Sequence, residues 1–242
     1  MITVEGAIAV KAALASRYRG VQRVLIAKGK ASRDIDYLAQ MARQDHVPVE
    51  YADQALIERL AVGHSHGGVL AEVSPRRFQA ITSLLRLDRP FLALVQGVED
   101  SFNLGYIIRT LYALGCCGLI LNERTWDFED ATLIKSSAGA SELLPIHLAS
   151  QLDVELATLK DNGIKIVSAY RGTGAISLYQ ADLRCPSGLL VAIGGPLRGL
   201  SHDVLAASDM FVYIPYANDF RPALNAASAA AVLAGEVYRQ NH

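Results

Sequence analysis

Three cysteines in 242 residues, two adjacent at Cys116 and Cys117 and one alone at Cys185, form no C-x-x-C pair. The spacing therefore offers neither a zinc ligand set nor a redox couple, and all three read as packing residues. No run approaches the ~18 uninterrupted apolar residues of a membrane helix. The stretch Met1-Ile2-Thr3-Val4-Glu5 lacks the basic-then-apolar layout of a signal peptide. Neither a metal nor a membrane partner is expected, and the cytoplasm is the expected compartment. Excess charge is missing too. With 23 Lys and Arg against 24 Asp and Glu, the net charge of -1 argues against a protein that coats nucleic acid by bulk attraction. A dinucleotide fingerprint is also absent: in Arg171-Gly172-Thr173-Gly174, the third glycine position of G-x-G-x-x-G falls on Ser177, which favours a plain turn.

What the chain has is apolar content, 51% of its residues, enough for one large core or two smaller ones. Strand-like runs alternate with helical patterns. Strands are expected at residues 24–27, 47–51 and 69–73, with amphipathic helices at 34–43 and 53–61 between them. A helical pattern over 74–87 is broken by Asp88-Arg89-Pro90. The boundary between a small α/β domain, 1–80, and a larger one, 81–242, is placed there. Beyond it, strands at 91–95, 118–121, 164–169, 189–193 and 210–214 alternate with helices at 103–114, 151–161 and 223–239. Such βαβ alternation implies a mostly parallel sheet, with ligands at the carboxyl ends of its strands.

Three loops at those ends stand out. After residue 95, Asn103 reads as a helix cap, Gly105 costs about 1 kcal/mol relative to Ala, and Arg109 lies one turn further on the same face. This leaves room for a substrate to pass over Gly105 and meet a guanidinium; a capped core helix with a surface Arg fits the spacing equally well. After residue 193, Gly194, Gly195 and Gly199 free backbone amides to face a ligand, and a helix can begin at Ser201. After residue 213, Ile214-Pro215 leads through Leu224-Asn225 into a helix of Ala and Gly that another backbone can approach closely.

In this order the loops resemble the three motifs of the SPOUT class of RNA methyltransferases, in its SpoU/TrmH branch of 2′-O-ribose methyltransferases. Residues 137–146 are similar to the family's central segment, and Gly6, Ala9-Val10 and His66 to Ala71 to its small N-terminal substrate-binding domain. The resemblance implies a deep C-terminal trefoil knot holding S-adenosylmethionine, with Gly194, Gly195, Gly199, Ile214, Pro215 and Leu224 around the cofactor. It further implies a homodimer whose active sites combine both subunits, and rRNA or tRNA as substrate. Arg109, Asn103 and Asn225 become the catalytic candidates, although Asn225 is equally well placed to cap the last helix. Arg109 is a poor base, so phosphate and ribose alignment is its expected role.

RNA contacts are expected from Arg17, Arg19 and Arg23, in a stretch from 6 to 33 that has no acidic residue, and from Glu142, for which a structural role is the competing reading. A solvated helix face is the competing reading of that stretch. Two positions depart from the family pattern: Pro196 replaces a usual Glu, and Ala223 a usual Ser. The alternative is therefore a noncatalytic relative that keeps the fold and RNA contact but not the reaction.

Overall fold

The computed structural model describes residues 1–63, 66–123, 128–184 and 186–242. Cys185 lies outside the described residues. The chain forms two compact units, one of Met1–Arg77 with Glu129–Leu143, the other of Phe78–Phe128 with Leu144–His242. The sequence reading put all of 81–242 in one domain; residues 129–143 instead join the first unit.

In the first unit, β1 (Ile2–Glu5), β2 (Val21–Ala27), β3 (Val49–Ala52) and β4 (Val69–Val73) form a sheet in the order β1-β4-β2-β3. Only the β2–β3 pair is parallel. Helices α1 (Ala7–Ala15), α2 (Arg33–Gln44) and α3 (Gln54–Leu60) alternate with the strands. Ser32 explains where α2 begins, because its hydroxyl accepts from the Ile35 amide at 3.2 Å. Ile35, Leu38, Ala39 and Ala42 then bury one face against Val10, Val24 and Val69.

The segment 129–143 contributes a helix, α6 in chain order (Asp130–Ser136), then a tight turn in which Gly139 has φ 84°. A Cβ on Gly139 would lie 2.5 Å from that of Ala12, so this turn can sit on α1 only without a side chain. Neither α1 nor α6 was legible as an amphipathic helix. Apart from Lys11, every residue of α1 is apolar, which erases its periodicity.

The second unit holds seven strands: β5 (Phe91–Gln96), β6 (Gly118–Asn122), β7 (Ile146–Ala149), β8 (Lys165–Ala169), β9 (Ile176–Ser177), β10 (Leu189–Gly194) and β11 (Met210–Tyr213). Their order is β7-β6-β5-β10-β8-β11-β9, and every pair is parallel. Its helices are α4 (Ile81–Leu84), α5 (Ser101–Ala113), α7 (Leu152–Asp161), α8 (His202–Ala207) and α9 (Ala226–Asn241). Strands buried on both faces read as unbroken apolar runs, which is why Leu189 to Ile193 and Phe91 to Val95 were visible in the sequence.

The helix expected over 74–87 shrinks to α4. The backbone amides before it are bonded elsewhere, Arg77 to the Tyr18 carbonyl at 2.7 Å and Gln79 to that of Ile146 at 2.8 Å.

Candidate functional site

Parallel pairing puts the carboxyl ends of β5, β8, β10 and β11 on one edge of the sheet, so the segments leaving them share that edge. Gln96, the last residue of β5, fixes the glycine loop that follows β10. Its carbonyl accepts from the Gly195 amide at 2.7 Å, and its side chain exchanges hydrogen bonds with Ser201, through the Ser201 amide at 2.9 Å and hydroxyl at 3.3 Å. A Cβ on Gly195 would stand 2.0 Å from the Gly97 carbonyl oxygen, and one on Gly194 2.6 Å from the Gly199 carbonyl carbon. Both contacts are with backbone, which has nowhere to go. The glycines are required by close chain approach.

Beside this loop lies a cavity of about 290 Å³, lined by the glycine loop, by Tyr170 and Arg171 after β8, and by Ile214, Tyr216, Ala223 and Leu224 after β11. Its wall is braced from within. The Leu224 amide donates to the Tyr216 hydroxyl at 2.9 Å, the Arg171 guanidinium stands 4.7 Å over the Tyr216 ring, and its Nη1 donates to the Arg221 carbonyl at 3.1 Å. A second, larger cavity of about 590 Å³ contains Arg89, Phe91, Leu189 and Tyr238 and none of the residues expected to act. Five of the six expected cofactor residues, Gly194, Gly195, Gly199, Ile214 and Leu224, line the smaller cavity; Pro215 lies between two that do.

Sequence reasoning missed Tyr170, Arg171 and Tyr216 as wall residues. For Tyr170 and Arg171 the signal was an aromatic and a cation directly after a strand, and Tyr216 follows β11 by three residues. Arg171 to Gly174 forms a bend and turn leading to β9, with no helix after it.

On the first helix of the site, α5, the apolar face reads as the spacing demands: Leu104, Ile107, Ile108 and Leu111 are all fully buried. Each stabilises the fold by about 1.5–3 kcal/mol. The cap is a correction. Asp100, not Asn103, is the N-cap, its Oδ1 accepting from the Asn103 amide at 2.8 Å. The helix starts at Ser101, three residues before Leu104, the first expected apolar position, so Asn103 falls within its first turn and its side chain is exposed. Arg109 is exposed as well, with no hydrogen bond or ion pair among the described residues. Neither lines the cavity. Asn225 is exposed and caps α9, its Oδ1 accepting from the Ser228 amide at 2.8 Å. Helices α5 and α9 pack together.

The expected RNA contacts fare differently. Arg17 is exposed. Arg19 is not: its side chain is fully buried, pairing through Nε with Glu142 at 2.7 Å and through Nη2 with Asp130 at 3.3 Å. Arg76 meets the other oxygen of Glu142, whose side chain is also fully buried. Burial lifts the Glu142 carboxyl above the usual carboxylate range, against the pull of Arg76 and Arg19. Arg23 is engaged by Glu72 at 2.6 Å and Glu50 at 3.1 Å, and its hydrogen bond holds the Glu72 carboxyl below its ordinary value. A direct RNA contact by Glu142 or Arg19 is therefore corrected: both serve the interior of the first unit. The acidic partners of Arg19 and Arg23 lie 27 or more residues from them along the chain, so the apparent purity of charge was a property of the sequence window and not of the surface.

Among the described residues no group of three His, Cys, Asp or Glu is placed to hold a metal ion. Among the described residues no helix is long and apolar enough to cross a membrane.

A parallel sheet with a glycine-walled cavity on its carboxyl edge defines the second unit as an α/β ligand-binding fold. Its lineage is narrower: residues 90–235 match the SpoU rRNA Methylase family, and residues 3–79 match a family described as RNA 2′-O ribose methyltransferase substrate binding. The chain belongs to the SpoU/TrmH family of RNA methyltransferases and carries its N-terminal substrate-binding domain. A Synechocystis protein named as a tRNA/rRNA methyltransferase is 33% identical over 206 residues, covering 83% of this chain and 53% of the relative. The chain thus spans about half of that relative's length. A Bacillus subtilis protein named as a TrmH family tRNA/rRNA methyltransferase is 27% identical over 93% of this chain and 90% of its own.

Among solved structures, the SpoU methyltransferase AviRb of Streptomyces viridochromogenes, in complex with AdoMet, superposes with a TM-score of 0.78 at 24% identity, covering 99% of this chain and 89% of its own. An rRNA methyltransferase of Sinorhizobium meliloti gives 0.79 at 20%, covering 98% and 86%. These two likenesses bear on the fold alone.

Proposed function

We propose that this protein is a cytoplasmic, S-adenosylmethionine-dependent RNA methyltransferase that methylates a ribose 2′-hydroxyl in rRNA or tRNA, acting as a homodimer. The observation that carries the reading is the glycine-walled cavity on the carboxyl edge. Its volume of about 290 Å³ is at the small end of cofactor sites. Tyr170 and Tyr216 offer ring surface to an adenine, and the glycine loop brings bare backbone to the wall, its Gly195 and Gly199 amides already donating to the carbonyls of Gln96 and Gly195. The residues present fit the cofactor. When bound, it supplies a methyl group on a positively charged sulfur. Pro215 shapes the wall between Ile214 and Tyr216. The trefoil knot belongs to the same reading, supported by β10 lying between β5 and β8 in the sheet and by the chain's return to that edge at 214–225.

The remaining work is alignment of a hydroxyl with the methyl group, which chiefly needs positioning. Arg109 holds phosphate and ribose, Asn103 orients the same substrate, and Asn225 presents its free amide N–H. Because Asn103 and Arg109 are exposed, have no side-chain partner among the described residues and lie outside the cavity wall, the dimer reading assigns them to the site of a second copy. Arg17 is the one member of the expected basic trio left exposed without an acidic partner among the described residues, and is retained as an RNA contact.

The test is transfer of labelled methyl from S-adenosylmethionine to RNA from cells lacking the protein. Arg109→Ala is expected to lower transfer about 100-fold, with cofactor affinity within about twofold of the parent. Transfer equal to the parent's removes Arg109 from the mechanism. A noncatalytic, RNA-binding relative is the second reading, favoured by Pro196 and Ala223, which leave the site without the family's carboxylate and hydroxyl. It predicts cofactor or RNA binding with no transfer by the parent protein.

A further inference from the structure

Gln96 lines neither cavity, yet it holds both ends of the glycine loop. At the near end its backbone carbonyl accepts from the Gly195 amide at 2.7 Å. At the far end its side-chain amide acts in both senses: Oε1 accepts from the Ser201 amide at 2.9 Å, and Nε2 donates to the Ser201 hydroxyl at 3.3 Å. The stretch between is cross-tied by the Gly199 amide, which donates to the Gly195 carbonyl at 3.2 Å. Gly199 and Leu200, which line the smaller cavity, are thereby fixed between two clasped points. Ser201 precedes α8 without a side-chain bond to the helix amides, so its hydroxyl is available to Gln96. On the other side Gly97 turns with φ 67°, and the chain enters α5, which carries Asn103 and Arg109.

Resting on the reading of the cavity as a cofactor site, we propose that Gln96 is a positioning residue, whose side chain holds the glycine loop in its ligand-receiving shape before any ligand arrives. It touches neither cofactor nor RNA. Without the clasp the far half of the loop samples other arrangements, and the ligand has to select the competent one. Apparent affinity then falls in proportion to the fraction of chains so arranged. Once bound, the cofactor meets the same walls, so the transfer step and the affinity for RNA keep their parent values.

Calorimetric titration of the full chain with S-adenosylmethionine, beside steady-state transfer kinetics and a melting curve, tests this in Gln96→Leu, Gln96→Glu and Ser201→Ala. Gln96→Leu removes both side-chain hydrogen bonds and is expected to raise the cofactor Kd and KM about tenfold, with kcat and the RNA KM within about twofold of the parent. Gln96→Glu keeps an acceptor for the Ser201 amide and takes a second bond from the Ser201 hydroxyl, which turns to donate, so it is expected to bind within about threefold of the parent. Ser201→Ala keeps only the amide bond and is expected to fall between Gln96→Leu and the parent. Parent-like cofactor affinity in Gln96→Leu overturns the proposal, as does a Gln96→Glu affinity no better than that of Gln96→Leu, or a loss that falls on kcat or on RNA. Should Gln96→Leu not fold, Ser201→Ala carries the decision, and parent-like cofactor affinity in it overturns the proposal. If the parent binds no S-adenosylmethionine, the cofactor reading itself fails and this inference goes with it; if it binds but transfers nothing, the order of affinities still decides.

Discussion

Glu142 was singled out in the sequence because it sits in a segment resembling a family motif, and its chemistry suggested a substrate contact. Its surroundings assign it elsewhere: one fully buried carboxylate faces two guanidiniums that cannot give up their charge. Breaking such a pair leaves buried cations without compensation, which costs about 3–5 kcal/mol. Glu142→Ala should therefore shift the urea midpoint sharply, whereas Arg17→Ala, at an exposed position, should leave it within about 0.5 kcal/mol. A Glu142→Ala protein as stable as the parent would reject the structural role. At this scale the sequence showed which residues were unusual but not which were neutralised. The partners of Arg19 and Arg23 stand far along the chain, and only folding brings them within 3.5 Å.

The elements were legible in proportion to how regular their environment is. Helix α5 and strands β5 and β10 follow clean periodicities and were readable to within about two residues. β1, β7 and α6 were not read as elements, being short pieces fixed by neighbours remote in sequence. Asn225 shows an element and a site sharing one side chain. Its Oδ1 is committed to the Ser228 amide, which leaves only the Nδ2 hydrogens for a substrate. Asn225→Asp keeps an acceptor for the cap, so it should retain stability, while Asn225→Ala should lose about 1 kcal/mol. If the amide donates to substrate, both variants lose transfer alike. Full transfer by Asn225→Asp, measured beside its melting curve, would reduce Asn225 to a cap.

For the whole molecule, the alternating order and parallel sheet followed from pattern, and the family followed from three short motifs in sequence. Assembly is a separate question with its own signal. Phe102 and Tyr106 on α5 are 52% and 49% exposed, and α9 offers Ser228 and Ala231 to solvent, a face of large rings beside small residues. Sedimentation should give twice the chain mass, and Ala231→Arg should return a monomer that binds cofactor weakly. A monomeric parent active at nanomolar concentration would exclude the shared site.

The three crossings of the chain between its units, after residues 77, 128 and 143, also bear on how such a protein is inherited and handled. The first unit is not a cassette that can be cut out at residue 80 and moved. A fragment ending there leaves behind both Asp130 and Glu142, and carries Arg19 and Arg76 into an apolar interior as bare cations. Any transplant of this RNA-binding module has to bring along fifteen residues from the heart of the other domain's sequence, Glu129–Leu143.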